Sequence, residues 1–181
     1  SVRAALQAKI GDLPKADAGL QGDRALWADP MLSDASWATI KTPALWETVG
    51  YDGMDGVAWY RTSFTLTDDE ARQAVRLSLG PIDDSDITWV NGVEVGRTTQ
   101  RYADPRLYTV PASALHAGGN VVAVRVDDTG GGGGIYGSPA ALYLEVGGVR
   151  RPLAGDWRFK VGMASFQPDG QRINKIPTIL Y

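Results

Sequence analysis

Between Gly56 and Val161 the chain is a succession of short segments in which apolar side chains alternate with polar ones. Turn residues separate these segments, and no long helical pattern comes between them. A period of two puts one face of each segment on a core, which is the signature of β-strands. GVAWYRTSFTL (Gly56–Leu66) is aromatic and β-branched and predicts a strong strand. AVRLSLG aligns Val75, Leu77 and Leu79, and NVVAVRV aligns Val122, Val124 and Val126. AALYLEV aligns Leu142, Leu144 and Val146, and DWRFKV aligns Trp157, Phe159 and Val161. RLYTVP and VRRPL add further strands, and PASALHAGG reads as one helical turn ended by glycine. Asn91-Gly92 supplies both positive-φ positions of a type I′ turn, so it predicts a hairpin joining Ile87–Val90 to Val93–Gly96. This spacing predicts an all-β fold, an antiparallel β-sandwich or jelly roll, and argues against a parallel α/β sheet.

The two ends read differently. In SVRAALQAKI, Val2, Leu6 and Ile10 fall on one helical stripe, and Pro14 stops the pattern. Residues 1–26 are therefore expected to be a helical arm and linker, and residues 27–163 the jelly-roll domain. Residues 164–181 are expected to be an extended segment ending in the apolar NKIPTILY. Val2, Leu6, Ile10, Ile176, Ile179 and Leu180 are expected to be poorly buried within this domain.

Composition narrows the function. The 181 residues carry a net charge of −3 with no basic stripe, so no nucleic-acid partner is expected. No run of about 18 apolar residues suggests a membrane-spanning helix. With no cysteine, disulfides, thiol catalysis and cysteine-zinc sites are excluded.

Residues that suggest chemistry each have a structural counterpart. His116, the single histidine, lies in the turn LHAGGN and reads as a solvated turn residue, not the base of a triad. Asp83, Asp84 and Asp86 cluster in GPIDDSD. They suit turn capping, a hard cation or sugar contact, or, least readily, a glycosidase pair. Gly132, Gly134 and Gly137 match G-x-G-x-x-G, but Ser138-Pro139 and a strand follow where a dinucleotide site needs a helix. Trp46, Trp59, Tyr60, Trp89 and Tyr136 are candidates for stacking on sugar rings or for core packing. At most one of Trp59 and Tyr60 is expected to be buried, since they point to opposite faces. Trp89 is expected in the core, and Tyr136 is the best candidate for outward contact.

Four blocks in order, DASWATIKTPALWE, DGVAWYRTSFTL, LSLGPIDDSDITWVNGVEVG and LHAGGNVVAVRV, resemble the sugar-binding jelly-roll domain of family 2 glycoside hydrolases. That similarity spans roughly residues 30–128 and implies a galactose-binding-domain-like fold. GPIDDSD, VDDTGGGGGIYG, PLAGDWRFKVG and IPTILY also resemble the β-domain inserted into sialate O-acetylesterases, whose SGNH-type catalytic domain it interrupts. The second resemblance implies a parent that removes O-acetyl groups from sialic acids or related sugars, in a periplasmic or secreted setting. An SGNH esterase needs Gly-Asp-Ser and a late Asp-x-x-His. Gly-Asp occurs here only before Leu13, Arg24 and Trp157, and Ser113 stands three residues before His116.

The expectation is a non-catalytic accessory domain with no catalytic residue, no cofactor and no metal site. Its expected partners are the catalytic SGNH domain of the same polypeptide and, as the alternative, carbohydrate bound by an autonomous module. Candidate interdomain or ligand contacts are Asp83, Asp84, Gly131, Gly132, Gly133 and Tyr136. The glycine loop, Thr129–Gly137, is expected to be mobile or held only by its flanking strands, because ordering glycine is entropically costly.

Overall fold

The computed structural model describes residues 2–165, with the Val2 side chain left out. An N-terminal helix α1 (Val2–Ile10) is followed by a two-stranded ribbon, β1 (Leu20–Gln21) and β2 (Arg24–Ala25). Next come β3 (Ala38–Thr42), β4 (Asp55–Leu66), β5 (Val75–Asp83), β6 (Ser85–Val90) and β7 (Val93–Thr98). The remaining strands are β8 (Pro105–Val110), β9 (Gly118–Asp128), β10 (Gly134–Ile135), β11 (Tyr143–Val146), β12 (Val149–Pro152) and β13 (Gly155–Ser165). Every pairing is antiparallel. The larger sheet runs β3-β13-β4-β9-β6-β7; the smaller runs β10-β5-β11-β12, with β8 also paired to β5.

The predicted sandwich is what forms. Leu77, Leu79 and Leu144 of the small sheet meet Tyr60, Val122, Val124, Val126, Trp157 and Phe159 of the large one. The hairpin is also as predicted: Asn91 has φ 51° and Gly92 φ 80°, with Val90 paired to Val93. Asn91 does more than turn the chain. Its Nδ2 donates to the Ala114 carbonyl and to Asn120 Oδ1, both at 2.8 Å, and its Oδ1 accepts from Val121 N. PASALHAGG forms the expected single turn over Ala112–Ala114.

The outer face of the large sheet departs from expectation. Trp59 and Tyr60 are both buried, at 0% and 1% exposure. Tyr60 faces the main core, while Trp59 lies in a second cluster with Ala28, Trp37, Val57, Trp89 and Ala123. A strap, residues 17–37, covers that face. Trp59 stacks on Trp89 with centroids 5.2 Å apart and rings 14° from parallel. Trp27 meets Trp37 and Trp59 edge-on at 5.4 and 6.0 Å.

Buried Arg61 fastens the strap by donating to Trp27 O, Asp29 O, Leu32 O and Asp34 Oδ2 at 2.8–3.0 Å. Asp17 fastens its start: Oδ1 accepts from Trp59 Nε1 at 3.0 Å and Oδ2 from Arg125 Nε at 2.6 Å. Leu6 of α1 is likewise buried in the main core, 3% exposed, where the sequence suggested it would be left uncovered. Ile10 packs partly against the same core. Ile176, Ile179 and Leu180 lie outside the described residues, as does the expected C-terminal segment apart from Ala164 and Ser165 of β13. No helix among the described residues is long and apolar enough to cross a membrane.

Candidate functional site

The eleven-pair ladder between β4 and β9 runs from Leu66↔Gly118 to Gly56↔Asp128. It delivers Asp128 to the end of the sandwich where β5 finishes at Asp83. Asp83 pairs there with Gly134 of β10, the last residue of the glycine run. Asp83, Asp84 and Asp128 are all buried, and each brings a carboxylate oxygen within 4.8 Å of the other two. Asp84 Oδ2 accepts from Thr129 N and Oγ1 at 3.2 and 3.1 Å, and Asp128 Oδ1 accepts from Gly130 N at 3.3 Å. These bonds shape the start of the glycine loop, the role short acidic side chains commonly take in turns. The same oxygen set is of the kind a hard divalent cation takes.

Asp86 does not join this group. Its Oδ1 accepts from Arg106 Nε at 2.7 Å, and its Oδ2 from Thr88 Oγ1 at 2.8 Å and the Tyr108 hydroxyl at 2.9 Å. Burial raises its carboxyl above the ordinary range, while bonds from Arg106 and Thr88 oppose the shift. Burial, followed by the nearby Asp86 charge, also raises the Tyr108 phenol. The GPIDDSD cluster therefore divides: Asp83 and Asp84 turn toward the loop, and Asp86 toward a buried arginine.

The glycine loop is clamped by a segment remote in sequence. Trp46 N donates to Gly133 O at 2.9 Å, Ala44 N to Ile135 O at 2.8 Å, and Gly133 N to Glu47 Oε2 at 3.1 Å. Gly131 and Gly133 are buried and Gly132 is half-buried. A methyl group on Gly133 would overlap the Trp46 ring and lie 2.8 Å from Asp128 Oδ2. So residues 44–47, and not only the flanking strands, hold the loop. The Tyr60 hydroxyl sits beneath it, where burial raises its ionisation well above the ordinary phenol range.

Of the residues singled out from sequence, Asp83, Asp84 and Gly133 come together, and Gly131 and Gly132 follow in the same loop. Tyr136 is half-buried, and its hydroxyl donates to the Tyr102 carbonyl. Asp128 and Glu47 complete the corner and were not foreseen. Asp128 had one signal, its position two residues before the glycine run; Glu47 had none. Trp46, Trp59, Tyr60 and Trp89 are buried and offer no stacking platform. His116 is exposed, and its ring bonds to no described residue; its main chain is held by Asn120.

The family model of the beta-galactosidase second all-beta domain matches residues 22–132. No match is found among curated proteins. Among solved structures, a beta-glucuronidase from glycoside hydrolase family 2 aligns with a TM-score of 0.53 and 23% identity, over 64% of this chain and 15% of that one. Bacteroides uniformis beta-glucuronidase aligns with a TM-score of 0.52 and 20% identity, over 82% and 18%. A family 2 member from Bacteroides cellulosilyticus DSM 14838 gives 0.53 and 24%, over 65% and 18%. At these identities the likeness is one of fold, and the chain spans less than a fifth of each of those proteins. With the sandwich, the Asn-Gly hairpin and the family model in agreement, this chain belongs to the beta-galactosidase second all-beta domain family.

Proposed function

We propose that this chain is the non-catalytic accessory β-domain of a sialate O-acetylesterase-like carbohydrate esterase, whose SGNH domain removes O-acetyl groups from sialic acids or related sugars. The carrying observation is the corner where GPIDDSD meets VDDTGGGGGIYG. Asp83 pairs with Gly134, and Asp84 accepts from Thr129 across 45 positions of sequence. Two of the four blocks that bear the esterase resemblance thus build one edge. Thr129 is exposed and Gly132 half-buried, and these two positions are where that edge can meet a neighbouring backbone. The proposed partner of that edge is the catalytic domain of the same polypeptide.

Two measurements test this. The isolated chain should not hydrolyse p-nitrophenyl acetate or O-acetylated sialic acid. Turnover that persists in His116→Ala would reveal a catalytic group of its own. The parent reading frame should carry Gly-Asp-Ser before this domain and Asp-x-x-His after it. A family 2 glycosidase barrel in that frame instead would overturn the esterase assignment while leaving the accessory role intact.

A further inference from the structure

We propose that a cavity between α1, the strap and the edge of the large sheet binds an acidic monosaccharide, a pyranose bearing a carboxylate. The cavity measures about 430 Å³, which suits one sugar ring with its substituents. It lies on the β3–β13 edge, apart from the acidic corner, and the inference does not depend on the esterase reading.

Two lysines from distant parts of the chain line it, Lys9 from α1 and Lys160 from β13. Lys9 Nζ lies 4.6 Å from the centre of the Tyr51 ring, and Lys160 Nζ lies 5.0 Å from that of Trp27. An aromatic face attracts an ammonium and limits its wandering. Neither lysine forms an ion pair with any described residue. Among the described residues Asp12 is the one acidic group in the lining, so those residues leave an excess of one positive charge.

These features narrow the ligand. Its anionic group should be a carboxylate placed where the ammoniums can share it. Asp12 and the Ser36 hydroxyl supply an acceptor and a donor-acceptor for ring hydroxyls. Half-buried Trp27 supplies apolar contact for the C–H surface of the ring, while Tyr51 is buried and serves only to seat Lys9. A neutral sugar would leave the ammoniums unanswered, and a bare small anion would leave most of the volume unfilled.

The test is an NMR titration of the chain with sodium galacturonate, beside galactose and sodium acetate at matched ionic strength. Galacturonate should give saturable shifts at Lys9–Asp12, Trp37 and Lys160, weakening as salt is raised. Lys9→Met/Lys160→Met should lower the affinity by about tenfold or more. Each single variant should show part of that loss. Both lysines are exposed, so melting temperatures should stay near that of the unaltered chain. The proposal fails if galacturonate gives no saturable shift, or if galactose binds as well. It also fails if acetate saturates the same signals with equal affinity, or if the folded double variant binds unchanged.

Discussion

Arg106 Nε donates to Asp86 Oδ1 at 2.7 Å, and neither side chain has any solvent exposure. The same guanidinium reaches the carbonyls of Arg101, Asp104 and Asp84. It therefore ties β6 and β8 to the loop between β7 and β8. Removing one partner of such a pair strands the other charge in a dry interior. Asp86→Ala should cost about 3–5 kcal/mol, read as a lower midpoint in urea unfolding. A midpoint within error of the unaltered chain would contradict a structural role for the pair.

The Asp127 carboxyl has its ionisation raised above 3.8, first by burial, with Asp84 and Asp17 adding to the shift and Arg125 opposing it. A raised carboxyl holds its proton more tightly in the folded chain. Its effect on stability therefore falls as pH climbs from 3.8 through the folded value. Asp127→Asn removes that titration. Its melting temperature should match the unaltered chain well below the window, exceed it by a margin that grows through the window, and keep a constant margin above. A difference that is constant with pH would refute the sign.

Gly92 combines φ 80° with a near neighbour, since an added Cβ would lie 3.3 Å from Pro30 Cδ. Gly92→Val should destabilise by about 1–3 kcal/mol. Thermal unfolding checks this, and an unchanged melting temperature would speak against the turn.

Gly133→Ala should also be costly to the domain itself, by about 1–3 kcal/mol, because the Trp46 ring leaves no volume for a methyl group. Chemical denaturation of the isolated variant measures it directly.

Arg61→Met should free the strap, because four oxygen acceptors between Trp27 and Asp34 lose their donor together. Hydrogen exchange should accelerate across 27–37 while Val122–Val126 stays protected. Uniform acceleration everywhere would instead mean global unfolding.

What was legible in the sequence was what depends on near neighbours. The strands announced themselves by alternation, and the Asn91-Gly92 hairpin by the φ values those two residues tolerate. Coverage of the outer face did not. Trp59 alternates with Tyr60 as it would on a sheet open to water, and only the strap makes both sides interior. The corner was half legible for the same reason. Asp83 and Asp84 stand out in a short acidic run, whereas Asp128 and Glu47 arrive through a long β4–β9 ladder and a remote turn. Long-range register, set by cooperative packing, has no local spelling.

Trp59 and Trp89 also give the domain a spectroscopic signature. Two indoles lying 14° from parallel at 5.2 Å couple their electronic transitions. Trp27 meets Trp59 from the strap side. Circular dichroism and fluorescence of this cluster can therefore follow strap docking without any added label, separately from the backbone signal of the sandwich.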